Sequence, residues 1–277
     1  AIRINAYDMA VGNVFGSNTF NLMILALADL IHGPGPFMLR VNSRHILSAL
    51  LGILLSATAT LFILASYLTD FDIEIFTVGL GSITIFVTYL IGARLIFRYD
   101  SKTTEVDEDE EKLLDLDVSL KKAILYFSIS AIVIIISGIS LSYSADNIAT
   151  LTGLDETFMG TILVAAATSL PEVVAAVAAI RINAYDMAVG NVFGSNIFNM
   201  VIIFVTDVVY QGGSLLGAVS LNHTVTALIG LILSSIAVVG LFYRSEKTFL
   251  TIGWDSVAIF VIYFFGAYLL FELGINF

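Results

Sequence analysis

The sequence predicts an all-α, polytopic membrane protein of eight spans built as an inverted repeat, and three observations carry that prediction. Hydrophobic residues fill 58% of the 277 positions and charged residues only 13%, with a mean hydropathy of +0.96, whereas a soluble domain has roughly a quarter of its residues charged. The apolar residues gather into runs of about 20, the length that crosses a ~30 Å hydrocarbon core. The segment AIRINAYDMAVGNVFGSN stands at residues 1–18 and again, letter for letter, at 179–196.

Taken in order, the first span, 9–31, gives way to His32 and a Gly-Pro-Gly-Pro stretch. The second, 46–67, follows the basic Arg40 and Arg44 and ends before the acidic Asp70, Asp72 and Glu74, and the third, 75–97, stops at Arg98. Residues 98–122 form the one long connection and hold nine of the 23 acidic residues, including Asp107, Glu108, Asp109, Glu110 and Glu111. Five spans follow at 123–145, 158–180, 187–209, 224–243 and 255–273, joined by short connections bearing Gly, Asn or charge.

Basic residues orient these spans. With the 98–122 loop in the cytoplasm, Arg40, Arg44, Arg94, Arg98, Lys102, Lys112, Lys121, Lys122, Arg181, Arg244 and Lys247 all fall at cytoplasmic ends. Only Arg3 falls outside, so 11 of 12 obey the positive-inside bias. The acidic run does not count against this, because carboxylates contribute little to that rule. The carboxyl terminus is then expected outside, in a protein of the cell membrane whose immediate partners are the lipid bilayer and inorganic cations. A net charge of −11 speaks against nucleic acid as a partner. There is no cysteine, which excludes disulfides and thiolate metal sites. The opening AIRINAYD lacks the basic start and apolar core of a cleavable signal peptide.

The repeat extends beyond its identical segment. At an offset of 178, Asp29 matches Asp207, His45 matches His223, Gly52 matches Gly230 and Ser56 matches Ser234. After a four-residue length change, the offset becomes 174 and pairs Gly79 with Gly253, Ser82 with Ser256, Tyr89 with Tyr263 and Gly92 with Gly266. Spans one to three thus recur as spans six to eight, while spans four and five, residues 123–178, have no earlier counterpart. The shift of five spans is odd, so the two copies insert in opposite orientations. Inverted repeats of this kind build transporters, with the site at the repeat interface near mid-membrane. The chain divides accordingly into a first repeat (1–97), an acidic loop (98–122) and a second repeat (123–277).

Polar groups inside spans are costly, and an ionisable one is a functional candidate. Span five carries Thr168-Ser169-Leu170-Pro171-Glu172, with Glu172 well inside and too short to reach the interface. Pro171 lacks a backbone donor, which frees an upstream carbonyl and breaks the helix. Thr168 and Ser169 precede Glu172 by four and three residues, so the three are expected on one helical face. Hydroxyl, carbonyl and carboxylate oxygens with no nitrogen or sulfur donor suit hard cations such as Ca²⁺ or Na⁺, not zinc or copper. In span six, Ser195 and Asn199 share a face, and Gly190 and Gly194 permit close helix approach. Span one repeats this with Gly12, Asn13, Gly16, Ser17, Asn18 and Asn21. The plainer role for Ser, Thr and Asn is to join helices by hydrogen bonds; that role does not call for a carboxylate at Glu172.

The ATSLPE and GNVFGSNIFN segments, set in an inverted repeat of membrane helices, resemble the α-repeats of the cation/Ca²⁺ exchanger superfamily, the sodium/calcium exchangers in particular. The resemblance covers essentially the whole chain. It implies a ten-helix fold of two inverted sets of five, of which eight helices are present here, residues 1–97 supplying helices three to five of the first set. It implies exchange of Na⁺ for Ca²⁺ by alternating access, with these two ions as cargo and no organic cofactor. Carried over by motif position, the ion ligands would be the Ala165 carbonyl, Thr168, Ser169, Glu172, Ser195 and Asn199, with Ser17 and Asn21 from the first repeat. Asn13, Asn18, Asn191 and Asn196 would brace the broken helices.

The sequence departs from the family pattern in three places. Ala167 stands where glycine is usual, Asn occupies both Asn21 and Asn199 where some relatives carry one Asp, and the first-repeat ATSLPE-like helix is absent. About 55 residues equivalent to 123–178 are therefore expected to be lacking, with the partner carboxylate to Glu172, and the chain as it stands is not expected to transport. Proton/calcium exchange is the alternative coupling, disfavoured because Val192, Phe193 and Asn199 offer no additional glutamate. A non-transporting membrane scaffold is the alternative from another class. An enzyme is not expected, since His32, His45 and His223 lie near span ends with no nucleophile or ligand set beside them. Asp29 and Asp207 suit capping or interfacial solvation better than cation attraction, and the acidic loop suits a solvated linker better than a calcium loop.

Overall fold

The computed structural model describes residues 6–69, 71–103, 119–249 and 251–276. The acidic run 107–111, Lys112 and Arg3 lie outside them, as does the side chain of Lys102. Helices α1 (Tyr7–His32), α2 (His45–Thr69) and α3 (Leu80–Thr103) precede the acidic connection, and α4 (Leu120–Thr152) follows it. A segment in four pieces comes next: α5 (Glu156–Phe158), a π-helical stretch (Met159–Val164), α6 (Ala165–Thr168) and α7 (Leu170–Arg181). Then come α8 (Tyr185–Val209), the short α9 (Leu215–Ala218), α10 (Asn222–Tyr243) and α11 (Trp254–Asn276). Among the described residues seven helices are long and apolar enough to cross a membrane, and the broken segment makes up to eight.

Every predicted span contains helix, with two corrections to the boundaries. The third begins at Leu80 rather than 75, because strands β1 (Glu74–Ile75) and β2 (Val78–Gly79) pair antiparallel just before it. Phe76 and Thr77 make their turn at φ 52° and 70°, the left-handed pair that a tight hairpin demands and a helix cannot contain. A matching hairpin joins β3 (Thr248–Phe249) to β4 (Ile252–Gly253) ahead of α11. The fourth span runs on past 145 to Thr152, where Gly153 at φ 72° adopts the left-handed cap and donates to the Ala149 carbonyl.

Helix α1 is the most enclosed span and α4 the least. Leu22, Leu25 and Ala28 of α1 pack with Val189 and Phe193 of α8 and with Leu233 and Ala237 of α10. Val14 and Phe15 meet Leu55 and Ala59 of α2 and Met200 and Ile203 of α8. In contrast, α4 buries only Ala145 and Ala149, against Ala6, Met9, Met159 and Val164. Its exposed Ile132, Ile134, Ile135 and Ile136 are the surface that lipid chains cover.

Between apolar helices in lipid, close packing and polar pairing replace the hydrophobic drive, and both are present. A Cβ on Gly16 would overlap the Thr161 carbonyl oxygen, and one on Gly160 would press on Met9, so α1 and the broken segment meet backbone to backbone. Four aspartates tie each repeat to the other. Asp29 accepts from Phe37 N and Gly253 N, both at 2.6 Å, and Asp207 accepts from Leu215 N at 2.9 Å and Gly79 N at 3.0 Å. Asp186 accepts from Asn42 N at 2.7 Å and pairs with His45 at 3.0 Å, and Asp8 accepts from Ser220 N at 2.7 Å and pairs with His223 at 2.9 Å. Every bond in one set has its counterpart in the other at the repeat offsets. Two of the histidines at span ends, His45 and His223, thus each form half of a helix-end clamp.

Candidate cation site

The site forms where the broken segment crosses α1 and α8. Pro171 has no N–H for the Ala167 carbonyl four residues before it, and Ser169 takes the non-helical φ −93°, ψ 4°. The two pieces, 156–168 and 170–181, diverge by 41°. The break corrects the expectation that Thr168, Ser169 and Glu172 share one face, since face-sharing assumes an unbroken helix.

Thr168 points toward α1. Its Oγ1 lies 2.8 Å from Asn13 Oδ1, 2.9 Å from the Val164 carbonyl and 3.1 Å from that of Ala165. A hydroxyl has one proton to donate, so these acceptors share it. Ser17 Oγ joins the group at 3.4 Å from Thr168 Oγ1 and 3.5 Å from Asn13 Oδ1. The Ala165 carbonyl also accepts from Ser169 N at 3.0 Å. Ser169 is buried directly behind it.

Glu172 points the other way. It opens, half-buried, onto a cleft of about 400 Å³ shared with Gly190, Asn191, Gly194, Ser195, Phe198 and Asn199 of α8. On the far side of α8, amides cross to α1: Asn21 Nδ2 donates to Asn196 Oδ1 at 2.9 Å, and Asn199 Nδ2 donates to Asn18 Oδ1 at 3.0 Å. The partner number falls as the residue number rises, so the repeated helices cross antiparallel, as an inverted repeat requires. Asn196 Nδ2 adds a bond to the Asn18 carbonyl at 3.2 Å. The bonds of Asn18 and Asn196 therefore join α1 to α8, while Asn13 is the one that reaches the broken segment.

The candidates thus fall into three adjoining groups: the cleft with Glu172, Asn191, Ser195 and Asn199; the cluster of Asn13, Ser17 and Thr168; and the amide crossing of Asn18, Asn21, Asn196 and Asn199. Asn199 belongs to two of them. Asn21 Oδ1 and Asn191 Nδ2 are buried without a partner among the described residues, and buried polar atoms rarely stay so. Sequence reasoning missed Met200, whose sulfur accepts from Asn18 Nδ2 at 3.3 Å and from Ser56 Oγ at 3.6 Å. The available signal was a break in the repeat, since Leu22 stands at the matching position.

Chemically, one carboxylate is set among neutral oxygens. Among the described residues no three His, Cys, Asp or Glu converge as a metal cluster. Such a donor set favours hard cations.

The family model described as sodium/calcium exchanger protein matches residues 1–95 and 122–272. Inner membrane protein YrbG of Escherichia coli (strain K12) is 32% identical over 200 residues, covering 71% of this chain and 58% of that protein. Putative antiporter CaxA of Alkalimonas amylolytica is 28% identical over 203 residues, 71% of this chain and 59% of that one. The chain therefore spans less than two thirds of the length of these relatives. Sodium/calcium exchanger MaX1 of Methanosarcina acetivorans is 51% identical over 55 residues, 20% of this chain and 16% of that one. The crystal structure of the H⁺/Ca²⁺ exchanger CAX superposes with a TM-score of 0.67 at 16% identity, covering 97% of this chain and 70% of that one. That likeness is one of fold.

Proposed function

The chain belongs to the sodium/calcium exchanger protein family, and from this we propose that it works as a secondary antiporter exchanging Na⁺ for Ca²⁺ by alternating access. The observation that carries the reading is Glu172, the carboxylate of the cleft, opening beside Ser195 and Asn199 between α7 and α8. Ca²⁺ and Na⁺ compete for these cleft oxygens; Thr168, Ser169, the Ala165 carbonyl, Ser17 and Asn21 lie in the groups beside the cleft and do not line it. A loaded Glu172 is neutralised, whereas a bare buried carboxylate is costly to carry through an occluded state. The loading of the site thus gates the transition.

The glycines support a second half to the cage. Gly12 and Gly16 receive the broken segment, while the equivalent Gly194 has open space above it and Gly190 faces only the His45 ring. That floor beside Glu172 can receive a second helix of the same kind, bearing the partner carboxylate.

Sodium coupling rests on the local 51% identity to a sodium/calcium exchanger and on the absence of a second carboxylate at Val192, Phe193 or Asn199. The fold likeness to an H⁺/Ca²⁺ exchanger, at 16% identity, does not weigh on the coupling ion. Reconstituted with the helix that would complete the cage present, the protein is expected to take up Ca²⁺ under an outward Na⁺ gradient, and Glu172→Gln to abolish it. Uptake driven only by a pH gradient would replace Na⁺ by H⁺ in this reading, and no flux under either gradient would leave a scaffold.

A further inference from the structure

At one helix contact the two repeats exchange which partner is the glycine, and repeat two carries the smaller side chain against it. Phe62 of α2 packs on Gly81, where a Cβ would lie 2.7 Å from the ring. At the equivalent positions Gly240 of α10 faces Asp255 of α11, with a would-be Cβ 2.6 Å from Asp255 Oδ2. The exchange of Phe and Gly opens a groove of about 570 Å³ along α10, between the Phe37–Arg40 turn and the start of α11.

The groove has two chemistries. Leu228, Ile232 and Val239 along its wall are 49%, 49% and 62% exposed on a membrane-spanning helix, so what lies against them is apolar. One end is charged, since Arg244 and Asp255 both line it. Arg244 Nη2 donates to the Leu39 and Val41 carbonyls at 3.0 and 2.9 Å, which anchors the guanidinium of an exposed residue that has further donors to offer. Asp255, half-buried at the same end, is capped by the backbone N–H groups of Asp255 and Ser256; its Oδ2 is buried without a hydrogen-bond partner among the described residues, and no described Lys, Arg or His pairs with that carboxylate. Trp254 and Tyr243, both exposed, flank the charged end, as aromatic residues do at headgroup level.

A fixed cation and a carboxylate with no cationic partner among the described residues, at the end of an apolar trough, complement a zwitterionic amphiphile. We propose that this groove binds one bilayer phospholipid with a primary ammonium headgroup, its phosphate on Arg244, its ammonium on Asp255 and an acyl chain along α10. A trimethylated choline has no N–H to offer Asp255, and a glycerol headgroup has no cation.

The test is native mass spectrometry of the purified protein equilibrated with equal amounts of phosphatidylethanolamine, phosphatidylcholine and phosphatidylglycerol. One phosphatidylethanolamine is expected to stay on each chain through delipidation. Gly240→Phe, which restores the repeat-one side chain, and Val239→Trp, on an exposed face where folding is safe, are expected to lose it. Asp255→Asn is expected to cut the preference over phosphatidylcholine roughly threefold or more. Equal lipid retention by both groove-filling variants overturns the proposal, as does preferred retention of phosphatidylglycerol or an unchanged preference in Asp255→Asn. So does a wild-type oligomer that Val239→Trp dissociates, because a second copy of the chain would then be the occupant.

Discussion

Asp29 and Asp207 each hold two backbone N–H groups from separate elements, one from their own repeat and one from the other. Removing either carboxylate strands two buried donors, each worth about 1–3 kcal/mol when left unsatisfied. Asp207→Ala is therefore expected to lower unfolding stability by about 2–4 kcal/mol, read by thermal or denaturant melting in detergent; a change near zero would deny the clamp. The pairing of Asp29 with Asp207 and of His45 with His223 was legible in the repeat, and capping was the favoured role for the aspartates. Their partners were not legible, because they arrive from the opposite repeat, 128 and 224 residues away for the two hairpin contacts. Asp8 and Asp186 sat inside the identical segment without any local feature to mark them.

The broken segment tests the account at the scale of elements. Gly16 has the Thr161 backbone against it, whereas its repeat partner Gly194 has nothing within 4 Å. Gly16→Ala must push two helices apart, at a cost of about 1–3 kcal/mol or more. Gly194→Ala is expected to leave stability unchanged or raise it by up to ~1 kcal/mol through helix propensity. Paired melts of the two variants measure this asymmetry, and equal losses would contradict the packing. The break itself was legible in Pro171. The consequence that Thr168 turns toward Asn13 while Glu172 turns toward α8 was not, since i, i+4 reasoning carries no information across a bend. The hairpin before α3 was hidden for a similar reason, because Phe76 and Thr77 are not residues that advertise a left-handed turn.

At the scale of the whole molecule, the eight apolar runs and the odd shift between copies made the inverted architecture legible. The antiparallel amide bonds between α1 and α8 are what that inversion looks like in contact. From the positive-inside count we propose that the 98–122 connection lies in the cytoplasm, and the absence of cysteine from the 277 residues makes the proposal easy to test. Ser119→Cys is expected to react with an impermeant thiol reagent only in inside-out vesicles, and labelling in intact cells would invert the topology. The central claim is that Ca²⁺ and Na⁺ compete for one oxygen site that includes Glu172. Equilibrium binding of radiolabelled Ca²⁺ to the purified protein, titrated with Na⁺, tests it most directly. Wild-type protein is predicted to bind Ca²⁺ and release it as Na⁺ rises, and Glu172→Gln to lose that Na⁺-sensitive binding; Ca²⁺ bound undiminished in Glu172→Gln would contradict the account.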